Sequence, residues 1–133
     1  MINKIKGYLG YDVLCNVYTK EGKLFKANVN LDFELAETIV RFEEKGNIIK
    51  PILTRIMDIS QKDLIQLNIL IGLADSNYVE SGLSRYDLLR YINNNKRRLT
   101  YAVLEYLHKR HIDWQNLTAE DLAIKNEQME WLN

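Results

Sequence analysis

Three side chains capable of acid–base or metal-binding chemistry follow one another at steps of three: Glu105, His108 and His111. Imidazoles and carboxylates are common zinc ligands. On an α-helix, however, steps of three place each side chain about 60° behind the last, so the three fan out around the axis. Two neighbours could share an ion, but the set lacks a clear fourth partner. The pattern therefore favours a solvated helix end, where cations are stabilised near the negative pole, and predicts no metal ligands.

Nucleophilic and cofactor chemistry have little support in this chain. Cys15 is the only cysteine, and it lies in an alternating apolar run where it is expected to behave as a small buried hydrophobe. The six glycines are scattered and form no phosphate-binding loop, and no Gly-x-Ser-x-Gly motif occurs. Glu105 and His108 are the only acid–base candidates. We therefore expect no enzymatic activity, no catalytic residue and no cofactor.

A basic stretch with interleaved tyrosines is the best candidate for a binding surface. Residues 78–111 carry a net charge of +4, whereas the whole chain balances eighteen cations with eighteen anions. Tyrosine supplies contact area at low entropic cost, and clustered cations attract phosphate or acidic groups. The residues that we assign to this surface, for protein or nucleic acid, are Tyr86, Arg90, Tyr91, Lys96, Arg97 and Arg98.

A DNA-binding interpretation of the same stretch remains open. Two helices with serine caps are followed by Leu99–Arg110, the element order of a winged-helix unit. In that interpretation Arg97, Arg98 and Thr100 lie near the N-terminal end of the recognition helix, where such helices contact bases. The acidic segment that follows, residues 112–133 with a net charge of −4, argues against it.

The bulk composition limits the class of protein. A chain of 133 residues fits one domain, and its neutral net charge excludes a wholly basic nucleic-acid coat. A single cysteine and no signal peptide predict a cytoplasmic location. The longest apolar run, residues 101–104, is far too short to cross a bilayer, so no membrane partner is expected.

The predicted fold is α+β: a mainly helical single domain with an N-terminal β-hairpin. Residues 1–31 form the hairpin region, 32–124 the helical region and 125–133 a tail. Alternating apolar residues from Val13 to Val17 and from Leu24 to Val29 flank a turn at Gly22. Residues 1–9 could add a third strand. The exposed edge of such a hairpin could drive formation of a homo-oligomer.

Helical patterns follow the hairpin. The predicted segments are a helix at 32–45, a connector at 48–51 before a turn or short helix at 52–57, a helix opened by Ser60, a helix from Ser84 to Ile92, a helix at 96–110 and a short helix opened by Thr118. The Ser60 helix is apolar around nearly its whole circumference, which predicts a central buried helix. Met129, Trp131 and Leu132 either dock on the core or form an exposed tail.

Two blocks of the chain resemble, in the same order, a family of uncharacterised small proteins from gut bacteria, their prophages and their phages. Residues 49–59 are similar to Ile-Lys-Pro-Tyr-Leu-Arg-Pro-Leu-Ser-Asp-Met-Thr, and residues 101–124 to Leu-x-x-x-His-Phe-Asp-aromatic-x-Gly-Leu-Ile-x-x-Gly-Leu-Ala. The matches to the second block are Leu107, His111, Asp113, Trp114, Leu117, Leu122 and Ala123. Asn116 and Asp121 stand where that pattern has glycine.

The resemblance implies a phage or mobile-element protein and assigns no catalytic residue. Together with the absence of catalytic motifs, it leads to our leading hypothesis: a non-enzymatic accessory protein that acts by binding another protein, one version being interference with a host defence or replication protein. The alternative is a winged-helix-like DNA-binding protein that uses the same basic surface.

Overall fold

Strands β1 (Val13–Tyr18) and β2 (Leu24–Val29) form an antiparallel hairpin. Its loop closes through Gly22, whose N–H donates to the carbonyl of Thr19 at 2.9 Å. Gly22 has φ 86°, in the left-handed region that glycine adopts without a steric penalty. The predicted hairpin is therefore confirmed, and its turn glycine explains why local sequence sufficed to find it.

The stretch predicted as a connector and turn is instead a third strand, β3 (Ile48–Arg55), which pairs antiparallel with β1. Pro51 lies within this strand, although proline cannot donate to a ladder. The hairpin hydrogen bonds show which way each residue of β1 points. The backbone N–H of Thr19, just after β1, donates to the Lys23 carbonyl at 2.8 Å, so the Thr19 backbone faces β2. Because backbone direction alternates along a strand, Cys15, four residues earlier, also points its N–H and carbonyl toward β2. The pair Cys15–Pro51 is therefore non-hydrogen-bonded, and Pro51 removes no bond from this ladder.

The segment expected to add a third strand to the hairpin forms a helix instead. Helix α1 (Ile2–Leu9) buries Ile5, Tyr8 and Leu9 almost completely. Their spacing of three and four places them on one helical face, which is the sequence signal that distinguishes this segment from a strand.

Two short strands complete the pairing of β3. Strand β4 (Ile112–Asp113) runs parallel to Thr54 and Arg55, and strand β5 (Ile124–Lys125) runs parallel to Ile52 and Leu53. Within the described segments, the result is a mixed sheet of five strands, and 42% of the described residues are helical. The α+β class is right, but the prediction of a mainly helical domain is wrong because β3 and its partners occupy part of the region assigned to helices.

The structure describes residues 2–30, 40–74 and 82–127, and the chain divides into two compact units. The first comprises residues 1–53 and 117–125, and the second residues 54–116 and 126–133. The second unit contains a 3-10 turn at Ile56–Asp58 and helices α2 (Gln61–Ala74), α3 (Arg85–Asn94) and α4 (Tyr101–Lys109). Its buried core residues are Ile56, Ile59, Leu64, Leu67, Ile71, Leu88, Ile92, Val103, Leu107 and Ile112.

The serine caps predicted for two of these helices are present. The Ser60 hydroxyl accepts from the Asp63 N–H at 3.1 Å, and the Ser84 hydroxyl accepts from the Asp87 N–H at 3.2 Å. Each bond satisfies one of the donors left over at a helix start. Helix α4 was predicted to start at residue 96 but starts at Tyr101, where Thr100 caps it.

Helix α2 is not buried all round. Leu67 and Ile71 are 0% and 1% exposed, whereas Ile65 and Leu73 on another face are 52% and 82% exposed. Apolar residues around the whole circumference predicted a central helix, but only one side of α2 contacts the core of its unit. The prediction of complete burial is therefore wrong.

The remaining predictions fall partly outside the described residues. Residues 40–44 are helical, and the rest of the helix predicted at 32–45 lies mostly outside. Met129, Trp131 and Leu132 also lie outside. Residues 117–121 form turns instead of the expected short helix. No helix in the described segments is long and apolar enough to span a membrane.

Candidate binding cleft

A cleft with a volume of about 260 Å³ opens on the surface of the second unit. It is formed by the 3-10 turn, helix α3 and the segment after β4. Its lining residues are Arg55, Ile56, Met57, Leu89, Asn93, Asp113, Trp114 and Asn116. Apolar side chains and hydrogen-bonding side chains thus converge in one depression, as they do in binding sites generally.

The polar part of the cleft is held by an ion pair and a buried carboxylate. The Arg55 Nε donates to Asp58 Oδ2 at 2.9 Å, which braces the guanidinium beside the 3-10 turn. Asp113 belongs to β4, pairs with Arg55 across the parallel ladder, and is only 4% exposed. The positions of both residues are therefore set by β3 and β4.

Trp114 is fixed by a hydrogen bond from its own ring. The indole Nε1–H donates to Nε2 of His108 at 3.0 Å. This bond needs a neutral imidazole with a free lone pair at Nε2. Burial lowers the pKa of His108 below its ordinary value, because desolvation penalises the charged form. The imidazole therefore stays neutral to lower pH than usual and can accept the bond.

The same bond bears on His108 as a metal-ligand candidate of the Glu105–His108–His111 pattern. Nε2 of His108 accepts from the indole, so that nitrogen is already engaged. Within the described segments, no group of three His, Cys, Asp or Glu side chains is placed to hold a metal ion.

Tyr86 and Arg90 of the predicted surface lie together on α3. The Arg90 guanidinium carbon is 5.9 Å from the centre of the Tyr86 ring, within the range of a cation–π contact. Leu89 and Asn93, which line the cleft, follow Tyr86 by three and seven positions and so share its helical face. Neither Tyr86 nor Arg90 lines the cleft, but Tyr86 lies on the face of α3 that carries Leu89 and Asn93.

The other four predicted residues are placed differently. Tyr91 packs against the hydrophobic core of the unit and its carbonyl accepts from the Asn95 side chain at 2.8 Å. Lys96, Arg97 and Arg98 are exposed in the turn between α3 and α4. Arg97 and Arg98 therefore precede the helix that would have served for recognition in a winged-helix arrangement.

Sequence reasoning missed the three partly exposed apolar residues of the cleft, Met57, Leu89 and Trp114, which we call its floor. Met57 and Leu89 come from separate segments, and only the fold brings them together with Trp114. Trp114 is partly exposed, and the sequence singled it out only as a match to the resembled pattern. The spacing of Leu89 and Asn93 relative to Tyr86 is the one signal that could have extended the predicted surface toward this site.

The dimensions of the cleft restrict what it can hold. Its volume of about 260 Å³ is below the range of ~300–1,000 Å³ typical of small-molecule sites. A depression of this size suits one or two side chains of a partner protein.

Cys15 offers no alternative chemistry, because the thiol is fully buried and burial raises its pKa to about 12.

Two positions where the resembled pattern has glycine adopt a left-handed backbone conformation. Asn116 and Asp121 both have φ 59°, in the left-handed region. Glycine adopts this region freely, and asparagine and aspartate tolerate it better than other residues. The chain therefore takes the backbone conformation that glycine would favour at both positions.

Comparison of the chain with protein-family models, curated proteins and solved structures found no match.

Proposed function

We propose that this chain is a non-enzymatic binding protein that accepts an apolar side chain of a partner protein in the cleft. The observation that carries the proposal is the apolar floor formed by Met57, Leu89 and Trp114. Met57 remains 43% exposed, so the cleft presents apolar surface to solvent. Anchors of this kind dominate the binding energy of many protein interfaces.

The charges around the cleft favour an acidic partner segment. Arg90 follows Leu89 directly in α3, and its guanidinium carbon lies 5.9 Å from the centre of the Tyr86 ring. Further along the chain, residues 96–98 add three exposed cations. We therefore expect an apolar anchor flanked by aspartate or glutamate, because complementary charge steers association and fixes orientation.

A role in a phage or mobile element is part of this proposal and rests on the sequence resemblance. A small protein of such an element that binds one acidic segment could block a host defence or replication protein. The cleft requires only that the target expose a short stretch with an apolar side chain and acidic neighbours.

Selection from a displayed peptide library would test the proposed function. We expect the full chain to enrich peptides with one apolar anchor and nearby acidic residues. Leu89→Arg should weaken their binding at least tenfold, because a cation then occupies the apolar floor. Ile69→Arg, which changes an exposed residue of α2, is the matched control and should bind normally.

Circular dichroism and thermal melts would establish that both variants fold. If the enriched peptides bound the Leu89 variant as tightly as the native chain, the cleft would not be their site and the proposal would fail.

The second candidate function is DNA binding through the exposed turn. Three consecutive cations, Lys96, Arg97 and Arg98, follow α3, and phosphate contacts by such residues release counterions. Fluorescence anisotropy with mixed-sequence duplex DNA at about 50 and about 200 mM salt would test it. Salt-sensitive binding that Arg97→Ala with Arg98→Ala abolishes would support DNA binding. No binding at either salt would refute it.

A further inference from the structure

Strand β2 ends the strand order, so its outer edge is unpaired among the strands that the structure describes. Large apolar side chains accompany this edge: Leu24 is 57% exposed and Phe25 is 50% exposed. An edge that combines open backbone groups with apolar side chains is a template for another strand. The question is which strand fits it.

The hydrogen-bond phase of the hairpin identifies the backbone groups at this edge. The Thr19 N–H donates to the Lys23 carbonyl, so Lys23 points its backbone toward β1. Alternation along an antiparallel strand then points Phe25, Ala27 and Val29 toward β1 as well. The N–H and carbonyl groups of Leu24, Lys26 and Asn28 therefore point outward, away from β1.

We propose that two copies of this chain associate by antiparallel pairing of their β2 strands, around a two-fold axis at Ala27. In this register Phe25 of one copy lies opposite Val29 of the other. Both residues lie on the face of the sheet that carries the buried Val13 and Val17 of β1. Lys26 lies opposite Asn28 on the other side. The strand is thus self-complementary in both its backbone and its side chains.

The side chain at the axis supports this register. Ala27 would face its own copy in a non-hydrogen-bonded pair, in which Cα atoms approach to about 4.5 Å and little room remains for side chains. Alanine suits that position. The neighbouring symmetric register, centred on Lys26, would place two lysines directly opposite each other, and like charges in that position destabilise a sheet. The sequence therefore favours Ala27 at the axis.

Sedimentation equilibrium of the full chain tests the association and a charge exchange tests the register. We expect the native chain to dimerise. Asn28→Lys should weaken the dimer by about two- to thirtyfold, because it creates two lysine–lysine pairs across the axis. Adding Lys26→Glu to that variant should restore dimerisation, since each new lysine then faces a glutamate of the other copy.

Lys26→Pro provides a separate test of backbone pairing, because it removes an outward N–H that β1 does not use. Lys26→Ala retains that N–H and is its control. We expect the proline variant to be monomeric and the alanine variant dimeric, with circular dichroism showing that both are folded. A native chain that stays monomeric at about 100 µM would overturn the proposal, as would dimerisation unchanged by Lys26→Pro.

Discussion

The indole of Trp114 donates its N–H to Nε2 of His108 at 3.0 Å, and the two rings lie 5.9 Å apart at an angle of 54°. The bond joins helix α4 to the segment after β4. Because Trp114 forms part of the cleft floor, the protonation state of one histidine is coupled to the shape of the candidate binding site.

Acidification should release this indole. The pKa of His108 is lowered by burial from its ordinary value of 6.5, so the bond is intact above that value and is lost as pH falls through the lower, folded-state pKa. The stability that it contributes disappears in the same direction. The Trp114 indole N–H resonance in a Trp131→Phe background should shift with a midpoint below 6.5. Loss of the transition in His108→Gln would identify the titrating group, whereas a midpoint at or above 6.5 would contradict the assignment.

Removal of the Asp63 carboxylate should destabilise the second unit strongly. Asp63 is fully buried and accepts from the Tyr106 hydroxyl at 2.6 Å and from Arg110 Nε at 2.9 Å. Asp63→Ala leaves both donors without this acceptor. We expect the free energy of unfolding to fall by about 2–4 kcal/mol, less than for a fully buried pair because Arg110 is partly exposed. Urea denaturation would measure the change.

Tyr106→Phe separates the two contributions of that cluster. It removes one hydrogen bond to a charged group but leaves the Asp63–Arg110 pair in place. The expected loss is about 1.5–3 kcal/mol. A loss for Tyr106→Phe as large as that for Asp63→Ala would mean that the Asp63–Arg110 pair adds no measurable stability of its own.

Two leucines of α2 should respond very differently to the same substitution. Leu67 is 0% exposed and Leu73 is 82% exposed. Leu67→Ala should cost about 2–5 kcal/mol through lost burial and a cavity. Leu73→Ala should change stability by less than about 0.5 kcal/mol. Thermal melts of both variants would check this, and equal costs would mean that the exposed face of α2 is covered in solution.

Cys15 should resist thiol reagents while the protein is folded. Its side chain has no exposed surface, and burial raises the pKa of the thiol to about 12. Little thiolate is therefore present at pH 8. Reaction with a disulfide reagent should be roughly a thousandfold slower than in the urea-unfolded chain. Rapid labelling of the native protein would show that the hairpin opens readily.

The parts of the fold that the sequence predicted are those with local determinants. Gly22 defines a turn between two alternating strands, and Ser60 and Ser84 each cap the helix that follows. In contrast, β3 depends on partners far along the chain, and Pro51 obscured it. Only the register with β1 shows that the missing N–H removes no bond from that ladder.

The candidate site divides in the same way. Tyr86 and Arg90 are four positions apart on one helix, so their proximity follows from helical geometry. The floor of the cleft combines Met57 with Trp114, which are distant in sequence and meet only in the folded unit. The apolar content of α2 likewise indicated a buried helix but could not show which side would contact the core.

The late partners of β3 have a consequence for how the chain is made. Ile52 pairs with Ile124, and the Asn126 side chain donates to Thr54 Oγ1, 72 residues earlier. A ribosome adds residues in order, so β3 can pair with β1 long before its parallel partners have been synthesised. During that interval one edge of β3 in the nascent chain is unpaired. The speed of translation up to residue 125 therefore sets how long chaperones or other nascent chains can contact that edge.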